Sequence, residues 1–131
     1  MLALCANYEG TVPENQEAFD RYIETVHLPL VAEYPRLRAL RYLKGAPLDG
    51  VAPKYYLSFE LFFDSLEDFQ VAAKSEERNR AVEDAKNFAA QFEGEIHHVM
   101  YEVKDVPLQG ISSEDETTTL IAKANGGAQN A

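Results

Sequence analysis

Residues 55–63 read Tyr55-Tyr56-Leu57-Ser58-Phe59-Glu60-Leu61-Phe62-Phe63, the densest β-forming run in the chain. Strand alternation puts Tyr55, Leu57, Phe59, Leu61 and Phe63 on one face and Tyr56, Ser58, Glu60 and Phe62 on the other. A sheet covered on one side only is expected to be polar on its open side. Both faces here carry large apolar groups, so both need cover. Asp64-Ser65 ends the run, and Ser65 followed by Asp68 has the form of a helix N-cap with an acidic residue three positions on.

Downstream, Leu66, Phe69 and Ala73 line one helical face. Ser75 reads as a second cap, and Val82, Ala85, Phe88, Ala89 and Phe92 continue a buried stripe that Gly94 is placed to stop. Ile96 to Val103 then alternates as a strand, with Val99, Tyr101 and Val103 on one face and Ile96, His98 and Met100 on the other. Upstream, Leu2 to Tyr8 is a first strand, broken by Glu9-Gly10-Thr11-Val12-Pro13. Phe19, Tyr22, Ile23, Val26 and Leu30 follow at helical spacing, opposite Glu17, Asp20, Arg21 and Glu24. Pro29 lacks an amide donor and is expected to kink or stop this helix. Leu37 to Lys44 is a further strand, and Gly45 to Gly50 a loop.

The order is strand, helix, strand, strand, helix, strand. It defines an α+β fold, a ferredoxin-like βαββαβ unit with a four-stranded antiparallel sheet and two helices on one face. The helices cover one sheet face. The simplest cover for the other is a second copy of the chain, so a homodimer is expected. The folded domain is expected over residues 1–105 and a tail or arm over 106–131. The tail carries Pro107, Gly110, the acidic run Glu114-Asp115-Glu116 and a segment, Thr117 to Ile121, able to add a strand.

Composition narrows the partners. The 131 residues carry a formal net charge of -10, with no basic patch to offset it, which disfavours nucleic acid and anionic membrane surfaces. No apolar run nears the roughly 20 residues of a membrane span. Met1 leads into Leu2-Ala3-Leu4 without the basic segment of a secretion signal, and Cys5 is the sole cysteine, so a cytoplasmic location is expected.

The string Phe19-Asp20-Arg21-Tyr22-Ile23-Glu24-Thr25-Val26-His27-Leu28-Pro29-Leu30 resembles the first helix of the EthD family, His27-x-Pro29-Leu30 being its most diagnostic part. Glu60-Leu61-Phe62-Phe63-Asp64-Ser65-Leu66-Glu67-Asp68-Phe69-Gln70 is similar to that family's third strand running into its second helix. The family is named for a component of ethyl tert-butyl ether degradation and belongs to the dimeric α/β barrel group. The resemblance covers about residues 1 to 105. It implies two ferredoxin-like units packed sheet to sheet into a barrel, with a cavity between helices and sheet in each. Related barrels include cofactor-free monooxygenases, polyketide cyclases, lactone isomerases, dehydratases and haem-degrading enzymes, and fold analogy does not choose among them.

His27 lies on the edge of the buried face near the helix end, where the helix dipole favours an imidazolium. A histidine in a half-apolar pocket is suited to acid or base work near neutral pH. Spacing alone favours a structural histidine bound to a loop carbonyl after the Pro29 kink; the resemblance tips the balance to function. Tyr22, Tyr42, Tyr56, Phe59 and Phe62 are the candidate pocket lining. Glu60 is expected to pair with Arg41 or to sit at a sheet rim, the alternative being a pocket acid that shares work with His27. His97 and His98 point to opposite faces and cannot readily chelate one ion, so no metal is expected, and nothing in the chain calls for another cofactor. Cys5 reads as a buried, inert thiol. The leading expectation is a cofactor-independent catalyst of lyase, isomerase, cyclase or oxygenase type, acting on a small hydrophobic carbonyl or aromatic compound through His27. The alternative is a non-catalytic ligand-binding or accessory protein of a degradation pathway.

Overall fold

The strands found in a computed structural model, which describes residues 1–109, are β1 (Leu2–Thr11), β2 (Ala39–Lys44), β3 (Tyr55–Phe63) and β4 (Glu93–Glu102). Between β1 and β2 run helix α1 (Gln16–Tyr22), a π-helical turn (Ile23–His27) and helix α2 (Leu28–Val31). Between β3 and β4 run α3 (Leu66–Ala73), α4 (Glu76–Ala85) and a short 3-10 turn (Ala89–Gln91). The four strands form one antiparallel sheet in the order β2-β3-β1-β4. This is the α+β, ferredoxin-like arrangement. Of the expected tail, residues 110–131, which include Thr117 to Ile121, lie outside the described residues.

Register sorts the side chains. Leu4, Ala6 and Tyr8 of β1 stand opposite Leu61, Phe59 and Leu57 of β3, and opposite Met100, His98 and Ile96 of β4. These share the helix-covered face, where Phe19, Ile23, Val31, Ala72, Ala81 and Phe88 complete the core. Ser65 accepts a hydrogen bond from the amide of Asp68, and Ser75 from that of Arg78, capping α3 and α4 as the sequence indicates.

Three features depart from strict periodicity. The β1–β3 register slips between Tyr8 and Glu9, so Leu57 faces Tyr8 while Tyr55 faces Glu9. This bulge turns Tyr56 to the helix side, where its ring meets Phe19 and Phe92, and leaves Tyr55 beside Lys54 on the other face. In the first helical segment the amide of Leu28 donates to the carbonyl of Ile23, five residues back. The widened turn rotates the following residues. Phe19, Ile23, His27 and Val31 then face the core, while Val26 is exposed. It also lets the chain pass Pro29 without stopping: α2 continues to Val31. Finally, Gly94 lies inside β4 and does not end a helix. It pairs with Gly10 of β1, both at φ 148°, and a Cβ on Gly94 would lie 2.0 Å from the Glu9 carbonyl oxygen.

The second face of the sheet carries Ala3, Cys5, Phe62, Val99, Leu43 and Tyr101, and no element among the described residues crosses it. Arg41 stands opposite Glu60 in the ladder, yet the two make no ion pair. The guanidinium instead lies 5.5 Å from the centre of the Phe62 ring. Cys5 is buried, and burial, with Glu60 nearby, raises its pKa and keeps the thiol neutral.

The Gly10–Gly94 contact leaves no room for a side chain. Gly94→Ala is expected to destabilise the fold by about 1–3 kcal/mol in urea unfolding, from backbone strain and displacement of the facing strand. An unchanged midpoint would show that the strands separate there freely.

Candidate functional site

A cavity of about 370 Å³ lies between the helices and the sheet, lined mostly by apolar side chains from β1, β3, α2, α3 and α4. The π-helical turn and α4 bring two ionisable residues together at its wall. His27 is 6% exposed and Asp84 9% exposed, the two buried polar residues of the described chain. The Nδ1 of His27 lies 3.0 Å from Oδ2 of Asp84. A carboxylate only accepts, so Nδ1 carries the proton and donates it to Asp84. Oδ1 of Asp84 accepts from the Tyr22 hydroxyl at 2.6 Å and from the Asn87 side-chain amide at 3.2 Å.

The opposite ring nitrogen of His27, Nε2, bonds to no described residue. No sealed polar atom lacks a partner, so Nε2 opens onto the cavity that His27 lines. Phe88 packs edge-on at 4.7 Å and Phe59 at 5.9 Å, fixing the ring plane. Burial is the largest influence on His27 and lowers its pKa below 6.5, outweighing the upward pull of Asp84. For Asp84, burial pushes upward, but the hydrogen bonds from Tyr22, His27 and Asn87 outweigh it and hold the carboxyl below 3.8. At neutral pH the site therefore holds a neutral imidazole on a carboxylate, not the imidazolium expected from the helix dipole. The described helix continues four residues beyond His27, and desolvation exceeds the dipole's effect.

Among the expected lining residues, Phe59 reaches the cavity. Tyr22 does not line it, but holds Asp84 from behind. Tyr42 is turned toward the helix surface, with its hydroxyl 3.3 Å from Glu24. Tyr56 is turned to the helix side by the bulge but lies outside the cavity lining, donating to Asp20 at 2.7 Å. Phe62 lies on the far side of the sheet beneath Arg41. Glu60 is on that far side too and is no pocket acid.

Two cavity-lining residues, Tyr8 and His98, and the Asp84 that holds His27 were not singled out from the sequence for this place. Tyr8 is buried against Phe59, with ring centres 5.4 Å apart; burial raises its pKa to about 12, and its hydroxyl bonds to no described residue. His98 reaches the cavity from β4, on the sheet face opposite to His97, which pairs with Glu9 at 2.9 Å. Asp84 shares one helix face with Ala81 and Phe88, at three- and four-residue spacing. An acid inside an apolar stripe was the available signal for it. Among the described residues no three His, Cys, Asp or Glu side chains gather in a way that would hold a metal ion.

The EthD domain profile matches residues 13–91, which include both His27 and Asp84. The chain belongs to the EthD domain family. An uncharacterised 11.0 kDa protein of Rhodococcus erythropolis, from the thcB-thcC intergenic region, is 33% identical over 78 residues, 60% of this chain and 76% of that one. Among solved structures, an EthD family protein from Bacillus halodurans is 29% identical with a TM-score of 0.68, over 79% of this chain and 99% of that one. A dimeric ferredoxin-like protein of unknown function from Thermobifida fusca shares the fold at 16% identity, with a TM-score of 0.58 over 78% of this chain and 90% of that one.

The downward shifts of His27 and Asp84 act in the same direction on stability. The unfolded chain takes up protons near 6.5 at His27 and near 3.8 at Asp84, and the folded protein at lower pH in both cases. The pair's contribution is therefore complete above pH 6.5 and declines as pH falls, first in the window just below 6.5 that His27 sets. Urea unfolding between about pH 7.5 and 5 should show wild type losing stability more steeply than His27→Gln. Parallel slopes would contradict the lowered pKa. Asp84→Ala, which strands the His27 and Tyr22 donors, is expected to cost about 1–3 kcal/mol at neutral pH.

Proposed function

We propose that this EthD-family protein is a cofactor-independent catalyst that moves a proton on a small hydrophobic carbonyl or phenolic compound. The observation that carries this reading is the neutral His27, held by Asp84 with its unprotonated Nε2 open to an apolar cavity. A base with a pKa below 6.5 is ready to accept a proton at neutral pH. In a carbonyl substrate the C–H bond next to the carbonyl breaks, an N–H bond forms at Nε2, and the electron pair moves to the oxygen as an enolate. Asp84 stabilises the imidazolium, and the Tyr8 hydroxyl is available to donate to the enolate oxygen. Return of the proton to another atom gives isomerisation. Attack by the enolate carbon on a second carbonyl of the substrate breaks that carbonyl's π bond, and the alkoxide formed takes the proton back from Nε2, which gives cyclisation.

The test is to incubate wild type, His27→Ala and Asp84→Asn with a library of small carbonyl and aromatic compounds and to follow bound and converted species by mass spectrometry. Conversion by wild type is expected to fall by about 100-fold or more in His27→Ala, the usual scale for a lost general base. Binding without conversion in all three proteins would make this a ligand-binding accessory protein and His27 a structural residue.

The second sheet face points to the assembly. A second copy covers it, sheet to sheet, in the manner of a barrel; the support is the apolar character of that face and the dimeric state of ferredoxin-like relatives. Tyr101, half exposed there, is the residue to change. Tyr101→Glu is expected to convert a dimer to a monomer in light-scattering chromatography. A wild-type monomer would refute the assembly.

A further inference from the structure

The cavity also carries a positive charge at its edge. Arg78 follows the Ser75 cap of α4 and lines the cavity while remaining exposed, which places it at the rim. The chain has six arginines and a net charge of -10, so carboxylate partners are plentiful. Arg21, Arg36 and Arg38 each pair with one, Arg80 with two, and Arg41 lies over Phe62. Arg78 pairs with no described carboxylate. Tyr34, from the turn after α2, lines the same cavity, half buried, with its hydroxyl bonded to no described residue. The Arg78 charge is close enough to offset part of the effect of burial on that hydroxyl. A guanidinium and a phenol thus line the same apolar chamber, which has a histidine base in its wall.

We infer that the ligand of this cavity is a small apolar carboxylic acid, whose carboxylate is held at the rim by Arg78 and Tyr34 while its hydrocarbon body fills the chamber toward Phe59. The inference rests on the cavity being a ligand site, as proposed above, and adds the chemical class. The guanidinium fork matches a carboxylate in geometry as well as charge. Because the net charge of the protein repels anions generally, a local cation is what would let an acid enter. An acid anchored at the rim would present the carbon beyond its carboxylate to the interior, where Nε2 of His27 opens.

The experiment compares matched probes: 4-phenyl-2-oxobutanoate against 4-phenylbutan-2-one, and cyclohexyl and straight-chain pairs of the same design, titrated by calorimetry at low salt. Wild type is expected to bind the acids about tenfold or more tightly than the ketones. Arg78→Gln should abolish that preference, Arg78→Lys should keep part of it, and added salt should weaken it because the rim is exposed. Equal affinity for acid and ketone in wild type, or an undiminished preference in Arg78→Gln, overturns the inference and leaves the His27 reading standing. His27→Ala should keep the preference for acids even where turnover is lost, which separates the two claims. No binding of any pair overturns both. Arg78 is exposed, so the variants are expected to fold, as circular dichroism will verify.

Discussion

The hydrogen bond from His27 to Asp84 joins two segments 57 residues apart and sets most of what the cavity can do. A carboxylate this deep in an apolar core is costly unless its lone pairs are used. Here Tyr22, Asn87 and His27 use them, and they come from three separate places: the end of α1, the turn after α4, and the π-helical turn. The same bond selects one tautomer of the imidazole and leaves its basic nitrogen pointing at the cavity. Removing Asp84 would therefore disturb helix docking, histidine orientation and base strength together.

The two sheet faces divide the labour. One face, with Leu4, Ala6, Tyr8, Phe59, Leu61 and Phe63, is both core and cavity floor. The other keeps Phe62, Val99, Leu43 and Tyr101 at the surface of the single chain. Large apolar groups on that face are what the proposed second copy would cover, and they lie away from the cavity. The misplacement of Phe62 in the sequence reading follows from this division: an aromatic in the central strand belongs to one face or the other, and composition does not say which of them faces the cavity.

The sequence was most legible where one period rules undisturbed. β3 spans the residues its alternation marks, Ser65 and Ser75 cap their helices, and the ferredoxin-like fold class follows from the order of elements along the chain. It was least legible where the backbone leaves that period. The bulge at Tyr8 and Glu9 turns Tyr56 to the side opposite from simple alternation. The π-helical turn puts His27 fully inside where a 3.6-residue period puts Val26. Asp84 was hidden by a habit of reading, in which acids are assigned to solvent even when they complete an apolar stripe. Tyr8 was read as strand, and His98 was weighed only as a metal ligand. Each becomes visible as a site residue once tertiary packing shows which face closes over a cavity.

The central claim is that His27 is neutral at physiological pH, with its proton on Nδ1 and its lone pair on Nε2 facing the cavity. Long-range ¹H–¹⁵N NMR of histidine-labelled protein at neutral pH reads this directly. The expected spectrum for His27 shows a protonated Nδ1 and an unprotonated Nε2, and the Nδ1-H tautomer is lost in Asp84→Ala. A His27 resonance with both nitrogens protonated, or with the proton on Nε2, would contradict the account.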